Sequence, residues 1–155
     1  MNEVYIFLAK YLVYLLAAWT LVSVWYLRRT HTIRQLVVWV VKISLAMGLT
    51  YLLIKAGNFL FPEARPFIAE RFTPLIQHPN NPSFPSSHTA LAAVLATFMW
   101  QLRRDWGVIA FILVALVGFG RVMVGVHYPW DILGGALIGI IGTVLVLKFW
   151  PRRLV

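Results

Sequence analysis

The sequence predicts an all-α membrane protein, a polytopic bundle of about five transmembrane helices forming one domain over residues 1–155. Three observations predict it. Hydrophobic residues make up 61% of the 155 positions and charged residues 12%, whereas an ordinary soluble domain is about half apolar and a quarter charged. Five apolar segments approach the ~20 residues a helix needs to cross a bilayer. Most of the basic residues sit between those segments. A water-soluble globule of this length has no interior large enough for so much apolar side chain. The absence of cysteine excludes thiolate chemistry, Fe–S clusters and thiolate zinc sites.

The first segment runs from Val4 to Leu27 and is interrupted only by Lys10. A cleavable signal peptide is not expected, because Met1-Asn2-Glu3 supplies no basic start and no small-residue cleavage site follows. The second runs from Leu36 to Phe61 and includes Lys42 and Lys55. The third, from about Ser86 to Leu102, is short. The fourth, Trp106 to Val126, contains Arg121, and the fifth, Trp130 to Trp150, opens with Asp131 and nears its end at Lys148. Gly135 and Gly139 in the fifth allow close helix approach, read here as packing inside the chain. Trp106, Trp130 and Trp150 stand at segment ends, where interfacial belts place indoles.

The connections predict an orientation. Arg28, Arg29 and Arg34, then Arg103 and Arg104, then Lys148, Arg152 and Arg153 all fall on one side of a five-crossing chain. The positive-inside rule makes that side cytoplasmic, so the N-terminus is outside and the C-terminus inside. The Pro62–Pro85 and Val126–Pro129 connections are then extracytoplasmic. The net charge of +9 is thereby a topological signal. No basic stripe interleaved with exposed aromatics points to a nucleic-acid partner.

Ionisable residues inside apolar spans are site candidates by default. Here they gather at the outer ends: Arg65-Pro66, Pro85-Ser86-Ser87-His88, Arg121, and His127-Tyr128-Pro129-Trp130-Asp131. Taken singly, each has an ordinary reading. Ser86 and Ser87 read as helix N-caps, Arg65 as a snorkelling side chain, and each histidine as an interfacial residue. The conjunction points further. Arg65 and Arg121 supply forked donors suited to phosphate. Helix N-termini at Ser86-Ser87 and Trp130 offer free N–H groups to an anion. His88 and His127 can act as nucleophile and proton donor near neutral pH. Asp131, four residues after His127, can fix the tautomer of that imidazole. A metal site on His88, His127 and Asp131 is disfavoured, because the arginines repel a cation.

Pro85-Ser86-Ser87-His88 resembles the P-S-G-H element of the type 2 phosphatidic acid phosphatase superfamily. Arg121, His127 and Asp131 match the spacing of its S-R-x5-H-x3-D element, and Arg65-Pro66 matches the end of its K-x6-R-P element. The three occur in family order between Asn58 and Asp131. The family lysine position is Asn58, with Lys55 one helical turn earlier as a candidate substitute. Gly120 stands where the family has serine before the arginine, and Ser87 replaces a glycine. The string from Asn81 to Ala90 is similar to the undecaprenyl-diphosphate phosphatase branch.

The expected activity is that of an integral membrane lipid phosphatase. It would hydrolyse a polyprenyl diphosphate of the undecaprenyl type to the monophosphate and phosphate at the outer face of the cell membrane. His127, alone in having a carboxylate at i+4, is expected to attack phosphorus and form a phosphohistidine. His88 is expected to protonate the leaving oxygen, and the resemblance implies the same roles. Arg65, Arg121, Ser86, Ser87 and Lys55 are the expected phosphate-binding residues. No metal or other cofactor is expected, and the partners are the lipid phosphate and the bilayer. Alternatives are a phosphatidylglycerophosphate or phosphatidic acid phosphatase, a lipid phosphotransferase, or a non-catalytic lipid-phosphate binder.

Overall fold

Long apolar runs have one way to satisfy their backbone polar groups in a bilayer, which is to become helical. The computed structural model describes residues 1–27 and 32–150 and is helical throughout its regular structure. In chain order the helices are α1 (Asn2–Lys10), α2 (Leu12–Leu27), α3 (Ile33–Leu60), α4 (Pro66–Ala69), α5 (Ser87–Leu102), α6 (Arg104–Met123) and α7 (Pro129–Phe149). Arg28, Arg29, Arg152 and Arg153, used above for orientation, lie outside the described residues.

The apolar segment Val4–Leu27 is not one helix. It bends by 44° between α1 and α2, at Tyr11. The two halves serve different neighbours: α1 lies along α6, while α2 reaches α5 and α6. Ala9 and Leu16 are fully buried on either side of the bend. The next helix, α3, starts earlier than the hydropathy predicts. Thr32 and Gln35 form a reciprocal capping box, with Gln35 N–H donating to Thr32 Oγ1 (3.4 Å) and Thr32 N–H to Gln35 Oε1 (3.0 Å). Two orphan donors are thereby satisfied at the helix start.

At the centre stands α5, touching α2, α3, α6 and α7. Its residues from Ala92 to Met99 are all buried, and a helix apolar on every side is one that neighbours surround. At 16 residues it is about 24 Å long at 1.5 Å per residue, short of the ~30 Å hydrocarbon core. Among the described residues three helices, α3, α6 and α7, are long and apolar enough to cross a membrane, and the bent pair α1–α2 qualifies if taken together.

Gly135 and Gly139 work inside the chain. A Cβ on Gly135 would collide with the carbonyl oxygen of Ser86, and one on Gly139 with that of Ala90. The α7 backbone therefore lies directly on α5, and this seam brings the start of α7 beside the start of α5. The C-terminal ends of α3 and α6 meet those two starts, with the 61–86 connection and its one-turn helix α4 laid over them. All outer-end polar residues thus share one end of the bundle.

Candidate active site

The start of α7 sets the first group. Pro129 and Trp130 open the helix, and Asp131 folds back so that Oδ2 accepts the Tyr128 N–H at 2.9 Å. The same oxygen is 3.1 Å from His127 Nδ1. An ionised carboxylate only accepts, so Nδ1 carries the proton and Nε2 keeps its lone pair as an acceptor. The i,i+4 spacing thus brings the pair together as expected from the sequence. His127 itself stands ahead of the helix, in the α6–α7 connection. Asp131 is wholly buried and the His127 side chain is 1% exposed. Burial pushes the His127 imidazole down to about 4; Asp131 opposes this, and Arg65 and Arg121 add to it.

Two partners from the 61–86 connection were not legible in the sequence. Ser83, fully buried, donates its hydroxyl to Asp131 Oδ2, and its oxygen lies 3.5 Å from His127 Nδ1. His78 meets the His127 ring edge-on, with centroids 6.0 Å apart and planes at 75°. Burial pushes His78 down to about 4, with the Arg65 charge adding to it. A third residue, Asn81, anchors Arg65. Asn81 and Ser83 lie in the string that carries the family resemblance, but the polar run from His78 to Ser83 follows no helical or strand period that singles out any of the three.

Arg65 caps α4 and is buried, 4% exposed. Its Nε donates to the Asn81 backbone oxygen (3.0 Å) and to Asn81 Oδ1 (3.2 Å). Nη2 donates to Asn81 Oδ1 (3.0 Å) and Pro82 O (3.1 Å). Nη1 donates to Val126 O at 2.8 Å and lies 3.3 Å from His127 Nε2. The guanidinium is therefore a strut between the 61–86 connection and the α6–α7 connection, with one nitrogen at the Nε2 lone pair of His127. Burial lowers its pKa to about 10, with Asp131 opposing.

Arg121 differs. It is among the largest fully buried side chains, and its Nε and Nη2 have no partner among the described residues. A buried guanidinium with unpaired donors has the chemistry to hold an anion. Helix α5 adds its N-terminus. The Ser86 N–H is committed to Asp131 O at 3.0 Å, and the Ser86 hydroxyl accepts from Thr89 Oγ1 at 3.1 Å without capping the helix. The amides of Ser87, His88 and Thr89 have no carbonyl four residues back within the helix. His88 is half-buried, with Nδ1 unpartnered.

Two departures from the family pattern, Asn58 and Gly120, have a structural account. Asn58 donates to Phe84 O at 2.7 Å and so fastens the segment before α5. Lys55 is exposed and lies over the Tyr51 ring at 5.4 Å. It shares a cavity of about 140 Å³ with Asn58, Arg65, Asn81 and Ser87. Gly120 lies under α1: a Cβ there would come within 2.7 Å of both the Ala9 amide nitrogen and Leu8 Cβ. The described residues contain no group of three His, Asp or Glu placed to hold a metal ion.

An all-helical membrane bundle that gathers two arginines, two histidines and an aspartate at one end defines a class of phosphate-handling membrane enzymes. Residues 39–154 match the PAP2 superfamily, and the chain belongs to that family. It is a metal-independent lipid phosphatase of the membrane. Among curated relatives it is 33% identical over 151 residues to the bacitracin transport permease protein BcrC of Bacillus licheniformis, covering 97% of this chain and 71% of that one. It is 30% identical over 151 residues to the undecaprenyl-diphosphatase BcrC of Bacillus subtilis, covering 96% and 75%. Among solved structures, Aquifex aeolicus LpxE superposes with a TM-score of 0.74 at 29% identity, over 96% of this chain and 88% of that one.

Proposed function

We propose that this lipid phosphatase acts on a polyprenyl diphosphate of the undecaprenyl type, releasing phosphate and leaving the lipid monophosphate. The observation that carries the reading is the His127–Asp131 pair, whose unprotonated Nε2 faces Arg65 Nη1 at 3.3 Å. The undecaprenyl-diphosphatase relative matched along 96% of the chain supports the substrate class.

His127 Nε2 attacks the terminal phosphorus, and the bond from phosphorus to the bridging oxygen breaks. Asp131 holds the tautomer and stabilises the imidazolium character that develops. His88 gives its proton to the departing lipid monophosphate. A water then attacks the phosphohistidine, His88 takes its proton, and inorganic phosphate leaves with His127 restored. Arg121 and the α5 amides bind the phosphoryl oxygens through the transition state. Lys55, Ser87 and Arg65 border the same region and bear on the rest of the anionic head.

The chain works as one domain with five crossings. Its N-terminus is outside, its C-terminus inside, and its site at the extracytoplasmic face of the cell membrane. That orientation rests on Arg34, Arg103 and Arg104 together with Arg28, Arg29, Arg152 and Arg153. In it the lipid tail stays in the outer leaflet while the head enters at the interface.

The test is phosphate release by detergent-solubilised protein from farnesyl diphosphate, farnesyl monophosphate and phosphatidylglycerophosphate, with EDTA present. The reading expects diphosphate turnover to exceed the others, and rapid quenching into alkaline detergent to trap an acid-labile phosphoenzyme that His127→Ala lacks. Faster turnover of phosphatidylglycerophosphate would move the substrate to the phosphatidylglycerophosphatase class. A fully active His127→Ala protein would overturn the mechanism.

A further inference from the structure

The proposed chemistry uses His88 and His127 and leaves His78 without a role. Yet His78 is held against His127 by construction. Its ring stands edge-on at 6.0 Å and 75°, and its Nδ1 is 3.2 Å from its own neighbour's carbonyl, Pro79 O. Three residues on, Asn81 grips Arg65 through Nε and Nη2. Five residues on, Ser83 reaches Asp131. The segment is therefore pinned to both groups that touch the nitrogens of His127, so the position of the His78 ring follows from the same contacts that build the site.

His127 lies in a connection at an end of the bundle, a place where side chains are ordinarily wet, yet its side chain is 1% exposed. Its polar neighbours account for its two nitrogens: Arg65 at Nε2, Asp131 and Ser83 at Nδ1. The apolar surface of the ring needs another cover, and His78 supplies a ring contact from the connection.

We infer that His78 is a positioning residue for His127, its ring excluding water from the imidazole and holding it in one orientation. The inference rests on reading His127 as the attacking group. The physical reason is that an imidazolium depends on hydration, so a dry imidazole stays neutral and keeps its lone pair for attack. Charged groups face His127 from several elements: Arg65 before α4 and Arg121 on α6 oppose its protonation, and Asp131 on α7 favours it, while His88 on α5 is coupled to the same group. The arginines remain when His78 is removed, so the shift toward the ordinary value of 6.5 is partial. Phenylalanine at 78 keeps the ring and removes the titrating nitrogens.

The experiment uses the full chain in detergent as wild type, His78→Ala and His78→Phe. The titration midpoint of His127 is read from imidazole NMR shifts, and the acid limb of kcat/KM from farnesyl diphosphate hydrolysis. The expected result is a midpoint about one unit or more higher in His78→Ala, with the limb moving alongside it. On that limb the rate falls about tenfold at equal pH. His78→Phe keeps the wild-type midpoint and limb. An unmoved midpoint in His78→Ala overturns the inference, as does a His78→Phe protein that shifts as far as the alanine variant. A midpoint that moves without the acid limb supports the shielding role and refutes His127 as the attacking group, which separates the two failures.

Discussion

Asp131 Oδ2 accepts from Ser83, His127 and Tyr128 at once. An amide in its place would offer N–H to Nδ1, drive the proton to Nε2 and remove the lone pair proposed to attack. Asp131→Asn is expected to lower kcat by roughly 10²–10⁴-fold, on the scale of tautomer loss in a Ser-His-Asp triad. Ser83→Ala removes one charge-assisted hydrogen bond, about 1.5–3 kcal/mol, so its effect on kcat is expected to be the smaller of the two. Equal losses in the two variants would show that the serine does more than hold the carboxylate.

Arg121 and Lys55 give a contrasting pair. Arg121 is buried with Nε and Nη2 unpaired among the described residues, so its planar fork has donors for the proposed phosphate. Arg121→Lys keeps the charge and loses the fork, with an expected drop of roughly 10²-fold or more in kcat. Wild-type turnover there would make the arginine structural. Lys55 is exposed and leans on Tyr51. Lys55→Ala is expected to cost less than tenfold in kcat/KM, the modest effect of a solvated charge, and a complete loss would place the lysine on the substrate.

At the scale of elements, the bend between α1 and α2 explains Gly120. The α1 backbone at Ala9 lies so close that a Cβ on residue 120 would sit 2.7 Å from the Ala9 amide. Gly120→Ser, which restores the residue the family pattern has at this position, is therefore expected to destabilise by about 1–3 kcal/mol through overpacking. Thermal unfolding in detergent measures it. A serine variant as stable as wild type, with faster turnover, would mean that α1 gives way and the hydroxyl reaches phosphate.

At the scale of the whole molecule, the proposed topology puts the 61–86 connection outside and the α5–α6 corner inside. The corner is one residue, Arg103, between two helices, with Arg103 and Asp105 paired and exposed. The chain has no cysteine, so single cysteines can be introduced cleanly. Asn80→Cys is expected to react with an impermeant maleimide on intact cells, and Asp105→Cys only after lysis. The opposite pattern would invert the orientation and move the site to the cytoplasmic face.

Composition and local spacing determined the all-α membrane class, the apolar segments and the His127–Asp131 pair. Each is a short-range property: a helix satisfies its own backbone, and two side chains four residues apart meet across one turn. The arginines were legible as oddities in apolar surroundings, because an ionisable group there demands a reason. Only the tertiary structure decided that Ser83, Asn81 and His78 belong to the site, that Asn58 ties down a carbonyl, and that Arg65 is chiefly a strut. Ser83 meets Asp131 across 48 residues and Arg65 meets His127 across 62. Such contacts follow no period, and they exist because the close seam between α7 and α5 sets both helix starts under the 61–86 connection. The bend at Tyr11 has the same origin: an apolar run interrupted only by Lys10 carries no glycine or proline to mark a break, and neighbouring helices determine where the chain must turn.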